Sequence, residues 1–334
     1  MTDPHERLNE VTIWQSKGAT NRWDNHAHFH GSIPHRWLLR TASPLLTSSD
    51  EDLLIETHRR IRRMVSEANQ QERLQEGREA LFHAYAARER AVAAIEHSKG
   101  VRATYRDALI EIAREAVQRG AEGLRLFISV CNAPDQFHQR VEGVLDALHD
   151  IGNIDLTVRV TLPRTRRIPS ISDIQRSIRL IDESGQFVGL DVSGLDSQCP
   201  AMTTIHMVRQ TSILRTELEQ MCAHELNLSV HWGETKAPEG SSVTLGMLNG
   251  FRSAGVDSIG HGFMAWQPNL VSCECGQPSE LRLLQGFILE YCPGIAQLYG
   301  GQRVLSEPEV LSLSGAQAIY WGSDSPGILE QSIH

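Results

Sequence analysis

The sequence predicts an α/β fold, a (β/α)8 TIM-like barrel with additional helices after the first strand. Short apolar segments typical of strands alternate along the chain with longer segments of helical periodicity. This alternation is typical of a parallel sheet covered by helices. Several of the predicted strands end in His or Asp, as expected where a barrel carries its chemistry. Neither a linker-like change of composition nor an internal repeat interrupts the chain, so we expect a single domain over residues 1–334.

The predicted elements begin after a polar lead-in over residues 1–22, and the first strand ends at His26 and His28. Residues 49–120 are rich in Ala, Glu, Arg, Leu and Gln, which favour helices, and we interpret them as packing helices or a lid. The remaining strands are predicted near residues 123–130, 156–162, 187–192, 228–231, 258–261, 287–291 and 316–321. Helices are predicted between them near residues 136–148, 172–184, 207–226, 245–254, 278–285 and 307–313.

Composition argues against several classes of function. The formal net charge is -9 and no basic block occurs, so we expect no nucleic-acid partner. No apolar stretch is long enough to span a membrane and no signal-peptide pattern is present, so we expect a cytoplasmic protein without a membrane partner. Arg159, Arg164, Arg166 and Arg167 form the densest basic cluster. We interpret this cluster as solvated surface, with a subsite for an acidic substrate group as the alternative.

The candidate metal ligands lie at the ends of predicted strands. His26 and His28 are two residues apart, and such residues project from the same face of a strand. The fifth strand ends at His231 and the eighth is followed by Asp324. Three imidazoles and one carboxylate are able to hold a catalytic zinc ion and leave one coordination position open for water. We therefore predict one Zn²⁺ per chain, with other divalent metals as alternatives, bound by His26, His28, His231 and Asp324.

The catalytic residues are predicted beside these ligands. Glu234 follows His231 across a glycine, and we expect it to donate a proton to a ring nitrogen and to shuttle protons to a leaving group. His261, between two glycines, is expected to orient the activated water, and Asp324 to accept its proton. Taken singly, each residue has an ordinary structural alternative, namely a buried structural histidine, a surface ion pair or a turn.

The sequence resembles the adenosine deaminase family of the amidohydrolase superfamily. Six motifs carry the resemblance in the family's order, over residues 24–328. They are His26-Ala27-His28-Phe29-His30-Gly31-Ser32, Gly189-Leu190-Asp191-Val192-Ser193-Gly194, His231-Trp232-Gly233-Glu234, Ile259-Gly260-His261-Gly262, Leu289-Glu290-Tyr291-Cys292-Pro293 and Ser323-Asp324-Ser325-Pro326. The resemblance implies a zinc-dependent hydrolytic deaminase of an adenine-type purine, in which hydroxide adds to the amine-bearing carbon and ammonia leaves. It also implies that His30, Gly194 and Ser325 bind the substrate.

Several positions depart from the family pattern. Ser325 stands where the family has an Asp that contacts the purine, and His30 where it commonly has an Asp that binds ribose. Trp232 replaces a small residue, and the Glu-x-Arg of the second strand is absent. These departures imply a substrate other than plain adenosine, such as a modified nucleoside, a nucleotide or a free base. The segment after Asp324 is short relative to the family. We therefore expect either a shortened final helix from Gly327, compensated by N-terminal residues or by oligomerisation, or a chain that is incomplete relative to the family.

Two other functions stay open from the sequence. The same metal-activated water would serve an amidohydrolase that cleaves an amide or a lactam. A barrel that binds a nucleoside without catalysis is the third hypothesis, although no predicted ligand or proton donor is missing. The sequence leaves the oligomeric state undecided.

Overall fold

The structure is a computed structural model, and it describes residues 23–66, 74–130, 133–152, 154–164, 169–194, 201–233, 241–262, 283–300 and 307–326. Eight parallel strands form one sheet in which each strand pairs with the next along the chain. The strands are β1 Trp23–His28, β2 Gly123–Ser129, β3 Asp155–Pro163, β4 Phe187–Ser193, β5 Asn227–Trp232, β6 Ser258–His261, β7 Ile288–Tyr291 and β8 Ala318–Trp321. The predicted (β/α)8 TIM-like fold is confirmed.

Helices separate most of the strands, and five of those described lie between β1 and β2. The helices are α1 Phe29–Ser32, α2 His35–Ala42, α3 Ser48–Ser66, α4 Leu74–Lys99, α5 Val101–Gln118, α6 Pro134–Ala147, α7 Ile171–Glu183, α8 Ala201–Cys222, α9 Ser241–Ser253, α10 Pro293–Gly300 and α11 Glu307–Ser314. The additional helices predicted after the first strand are therefore present. Among the described residues, no helix combines the length and apolar character needed to cross a membrane.

The sheet closes on itself at the carboxyl end of β1. Ala27 forms a parallel bridge with Asp324, just after β8. The backbone N–H of Asp324 donates to the carbonyl of His26 (2.6 Å), and the N–H of His28 donates to the carbonyl of Asp324 (2.8 Å). The first and last strands are thus joined at the residues that the sequence marks as metal ligands.

The core of the protein is mainly apolar. Apolar side chains fill the layer between the sheet and the helices, as expected for a barrel of this class. Trp232, which is much larger than the family's usual residue, belongs to this apolar layer. Because successive side chains of a strand point to opposite faces, Trp232 and His231 lie on different faces of β5. The large indole therefore packs away from the histidines.

Two predicted segments differ from the structure. The prediction of a helix over residues 278–285 is wrong for residues 283–285, because residues 283–286 form a turn. Residues 278–282 lie outside the described residues. Helix α10, directly after Cys292, is not among the predicted elements. The polar lead-in and the shortened final helix from Gly327 lie outside the described residues.

Candidate metal centre at the carboxyl end of the barrel

Four imidazoles meet at the carboxyl ends of β1, β5 and β6. The ring centroid of His26 lies 5.1 Å from that of His28, 4.7 Å from that of His231 and 5.0 Å from that of His261. Because parallel strands all end at the same rim of a barrel, side chains far apart in sequence reach one another there. The sequence-predicted ligands His26, His28 and His231 are thus brought together.

Asp324 completes this cluster. Its Oδ1 atom lies 3.7 Å from His26 Nε2, 3.6 Å from His28 Nε2 and 3.5 Å from His261 Nε2. Asp324 has φ 59° and His261 has φ 67°, in the left-handed region that non-glycine residues rarely adopt. Such strain costs on the order of 1–3 kcal/mol per residue and is concentrated at functional sites. The backbone is therefore bent at the two points where these side chains enter the cluster.

The approach of Asp324 to β1 depends on a glycine. A Cβ atom on Gly322 would lie 2.3 Å from the Cβ of His26 and 2.9 Å from its backbone nitrogen. No larger residue fits there without a shift of β1 or of the segment after β8. Gly322 therefore allows the two chain segments to come close enough to share the site.

A buried carboxylate orients His26. The Nδ1–H of His26 donates to Glu290 Oε2 at 2.7 Å, and Ser258 Oγ donates to Glu290 Oε1 at 2.7 Å. Arg159 forms an ion pair with the same carboxylate, and both of these side chains are fully buried. Burial by itself raises the pKa of Glu290, but Arg159 and His26 outweigh it and hold that pKa well below its ordinary value. An ionised Glu290 fixes the tautomer of His26 and makes its other nitrogen a better metal ligand.

A second carboxylate lies beside His231. Asp191 Oδ2 is 3.5 Å from His231 Nε2, and Ser229 donates a 2.7 Å hydrogen bond to Asp191 Oδ1. Burial raises the pKa of Asp191 to about 6. Burial, together with the neighbouring His26, lowers the pKa of His231 well below its ordinary value. Burial and the neighbouring histidines do the same for His28, so both imidazoles are held in the neutral form that binds metal.

The arrangement fits a divalent metal. His26 Nε2 is buried and has no hydrogen-bond partner among the described residues, a costly state that a metal ion would relieve. One ligand atom each from His26, His231 and His261 lie within 4.8 Å of one another, and so do those of His26, Cys292 and Asp324. The donor set is dominated by imidazole nitrogen with one carboxylate, which suits zinc. Four histidines therefore lie close together here, whereas the sequence predicted three histidine ligands.

Two of the predicted substrate-binding residues lie beside this centre, since His30 acts on the pKa of His28 and Ser325 bonds to Asp324. His30 Nε2 is 2.8 Å from the hydroxyl of Tyr105, and burial, together with Arg140 and Arg88, lowers the pKa of His30 to about 3. A neutral imidazole binds a partner through hydrogen bonds rather than through a net charge. Gly194 lies just after β4 with φ 121°, beside Arg164.

The hydroxyl of Ser325 is already engaged within the protein. It donates to Asp324 Oδ2 at 2.5 Å, and because it has a single proton, the hydroxyl of Tyr85 donates to it in turn. Tyr85 comes from α4, one of the helices inserted after β1. A Cβ atom on Gly31 would lie 2.5 Å from both hydroxyl oxygens, so α1 packs directly over this contact. Ser325 in this arrangement is able to accept, but not to donate, a hydrogen bond from a substrate.

The arginine cluster is not simply solvated surface, and that expectation is wrong for two of its members. Arg159 is fully buried against Glu290, and Arg164 is 3% exposed at the end of β3. Both stand on or next to β3, whose inward-facing positions are enclosed by the barrel. Arg164 lies near enough to His231 to lower its pKa, so a buried cation borders the candidate site. Arg166 and Arg167 lie outside the described residues.

Glu234, the predicted proton donor, also lies outside the described residues. The sequence assigned no role to Glu290, Asp191 or Tyr85. The first two stand within the quoted motifs, and a charged residue in an otherwise apolar strand is the signal that marks them. Tyr85 has no such signal, because it stands in one of several helices of similar composition.

Comparisons with known proteins agree with this architecture. No family model and no curated protein matches the sequence. Among solved structures, adenine deaminase from Arthrobacter aurescens is 14% identical with a TM-score of 0.61, covering 94% of this chain and 85% of its own. The N6-methyl-AMP deaminase from Arabidopsis thaliana is also 14% identical, with a TM-score of 0.58 and coverages of 93% and 82%. An amidohydrolase from Burkhoderia ambifaria with bound Zn is 13% identical, with a TM-score of 0.50 and coverages of 93% and 77%. This chain therefore has the fold of these solved deaminases and amidohydrolases, which is the architecture that the motif resemblance implies.

Proposed function

We propose that this chain is a metal-dependent hydrolase of the adenosine deaminase-like group of amidohydrolases, and that it removes the amino group of an adenine-type purine as ammonia. The observation that carries the proposal is the convergence of His26, His28, His231 and Asp324 at one rim of the barrel, beside the buried Glu290. The fold shared with adenine deaminase and N6-methyl-AMP deaminase supports an amino-purine over other substrates.

We assign the metal to His26, His28, His231 and Asp324, with zinc as the first candidate. A bound zinc ion supplies Lewis acidity, which brings the pKa of water towards neutrality. Glu290 holds His26 in the tautomer that presents Nε2 to the site. His261, 3.5 Å from Asp324 Oδ1, is placed to hydrogen-bond water and to stabilise developing negative charge.

The proton transfers are assigned to two carboxyl groups. Glu234 is proposed to protonate a ring nitrogen of the purine and then to pass a proton to the leaving amine. Asp324 is proposed to accept a proton from water. The hydrogen bond from Ser325 to Asp324 Oδ2 keeps the other oxygen, Oδ1, directed at the histidines.

Substrate recognition is proposed to differ from that of adenosine deaminases. We assign His30 and Gly194 to contacts with the substrate, and Ser325 to accepting a hydrogen bond from a substrate N–H or O–H group. Arg164 adds a buried positive charge next to Gly194, which favours a substrate with an anionic group. Among base, nucleoside and nucleotide, we therefore expect the nucleotide to be turned over best.

The test is an ammonia-release screen of the zinc-loaded protein against adenine, adenosine, AMP and their N6-methyl forms, in which an N6-methyl substrate is followed by methylamine release. Glu234→Gln should lower kcat by at least 100-fold for the best substrate while zinc content stays equal to that of wild type. Glu56→Gln, at an exposed position of α3, is the matched control and should leave both unchanged. Arg164→Gln should raise KM for AMP more than for adenosine.

Four results would contradict the proposal. High turnover of unmodified adenosine above every other substrate would refute the altered specificity. A product with an opened ring and no released amine would indicate an amide or lactam hydrolase. Activity that survives Glu234→Gln would contradict the proposed role of Glu234 in catalysis. Ligand binding without turnover would indicate a non-catalytic binding protein. Zinc content distinguishes ligands from neighbours: relative to wild type, His28→Ala should lose the zinc equivalent of this centre, whereas His261→Ala should keep it.

A further inference from the structure

A second cluster of metal-binding side chains lies at the opposite end of the barrel. Asp182 stands in the last turn of α7, Cys222 is the last residue of α8, and His224 follows in the loop to β5. One ligand atom from each of these residues lies within 4.8 Å of the other two. Since helices of a (β/α)8 barrel end at the amino-terminal rim of the strands, this cluster is remote from the His26 centre.

The imidazole of His224 faces acceptors on both sides. Its Nδ1 atom is 3.0 Å from the carbonyl oxygen of Glu225, and its Nε2 atom is 2.7 Å from Asp182 Oδ1. A carbonyl only accepts, so Nδ1 carries a proton. At 2.7 Å, Nε2 shares a proton with the carboxylate, and a cation that replaces this proton needs the two atoms to move apart. The same Nδ1–H to carbonyl bond is the usual support of a histidine that binds metal through Nε2.

The thiol of Cys222 points at the same carboxylate. Burial first, and then the charge and hydrogen bond of Asp182, raise the pKa of the Cys222 thiol to about 12, whereas Arg179 opposes the rise. Without a cation, the thiol therefore stays protonated and donates to Asp182. Asp182 thus gathers two donor protons, one from sulfur and one from nitrogen.

The backbone holds these side chains in place. Ala223, between Cys222 and His224, has φ 59°, a conformation that is uncommon for a residue with a Cβ atom. This turn folds His224 back towards α7. The carbonyl ends of α7 and α8 both lie here, and the negative end of each helix dipole favours a cation. A cation bound to Asp182 would also offset the repulsion between this carboxylate and the two helix carboxyl ends.

We propose that Asp182, Cys222 and His224 form a second metal site, for a borderline-soft divalent cation such as Zn²⁺, that ties the end of α7 to the end of α8. On binding, Cys222 and His224 Nε2 each lose one proton to solvent, and the cation gains sulfur, nitrogen and oxygen ligands, so one divalent charge replaces two protons. A donor set of this kind excludes Mg²⁺ and Ca²⁺, which prefer oxygen alone. Ligand atoms of a tetrahedral zinc site are about 3.3–3.8 Å apart, so shifts of about 1 Å complete the site. Water supplies the fourth ligand, because the His224 side chain is 39% exposed.

The test is a Co²⁺ and Zn²⁺ titration of the full chain, measured by cobalt absorption and by metal content after dialysis. Wild type should hold two equivalents and show a near-ultraviolet thiolate-to-cobalt band. Cys222→Ser should lose the band and one equivalent, and His224→Ala should weaken that equivalent at least tenfold. Asp182→Asn, which keeps the thiol and the imidazole, should also weaken it. Circular dichroism checks that each variant is folded.

The control arm uses the His26 centre. His26→Ala should lose the other equivalent and keep the thiolate band, so the two sites are scored independently of each other and of deaminase activity. A chemical readout supports the spectra: Zn²⁺ should slow alkylation of the Cys222 peptide at least tenfold in wild type and not in His224→Ala. If Cys222→Ser and His224→Ala bind the same number of equivalents as wild type, with an unchanged cobalt band, the second site does not exist.

Discussion

Glu290→Gln tests whether the buried carboxylate behind His26 supports the metal centre. Glu290 accepts hydrogen bonds from His26 Nδ1 and Ser258 Oγ and pairs with Arg159, and the side chains of His26, Arg159 and Glu290 are all 0% exposed. The glutamine keeps the shape of the side chain and removes its charge. The guanidinium of Arg159 then stays buried without this carboxylate, and His26 loses the anion that makes it a strong ligand.

The expected magnitudes follow from these contacts. Breaking a buried ion pair by neutralising one partner costs about 3–5 kcal/mol of unfolding free energy. An unfolding entropy of about 2.1 cal/mol/K per residue converts this to a Tm lower by about 4–7 °C for a chain of 334 residues. Loss of the residue that orients a ligand weakens metal binding by about 10–100-fold, or about 1.4–2.7 kcal/mol.

The assay measures thermal unfolding in EDTA and zinc affinity by competition with a chelating dye. Glu56→Gln, on the exposed surface of α3, should change neither quantity. The double variant Arg159→Met with Glu290→Gln should recover part of the lost stability, because the guanidinium of Arg159 is no longer buried without its carboxylate, but it should not recover the zinc affinity. A Glu290→Gln protein with the Tm and zinc affinity of wild type would refute this account of the site.

Four further predictions rest on other contacts. Gly322→Ala should weaken zinc binding at least tenfold and lower stability by about 1–3 kcal/mol, because the new methyl group overlaps His26, whereas Gly246→Ala, with open space around it, should do neither. Tyr85→Phe should weaken zinc binding by about 2–10-fold through loss of one hydrogen bond to Ser325, and the effect should not add to that of Ser325→Ala; additive effects would show that the two hydroxyls act separately. Arg102→Ala removes an exposed pair with Asp146 and Glu142 and should cost less than about 1 kcal/mol in urea unfolding, falling further in high salt; a larger, salt-independent loss would contradict it. Asp182→Asn should speed alkylation of metal-free Cys222 at pH 8, since the carboxylate raises the pKa of that thiol; an unchanged rate by peptide mass spectrometry would oppose this.

The barrel and most of the candidate metal centre were predictable from the sequence because their signals are local. Strand and helix periods each repeat within a few residues, and parallel strands must end at a common rim. His26 and His28 share a face by spacing alone, and His231 and Asp324 follow from their places at strand ends. None of these inferences needs to know which strands are neighbours.

The partners of those residues were decided only by the tertiary structure. Glu290 and Arg159 are separated from His26 by 264 and 133 residues, and pairing across such distances depends on the register of strands in three dimensions. The contact of Tyr85 with Ser325 likewise depends on tertiary packing, because a half-turn of α4 about its axis would carry the side chain away from Ser325. Burial is also a tertiary property. Arg159 and Arg164 are buried in the structure, whereas the sequence alone suggested a solvated cluster. A charged side chain acquires its role from what encloses it, and enclosure is set by the whole fold.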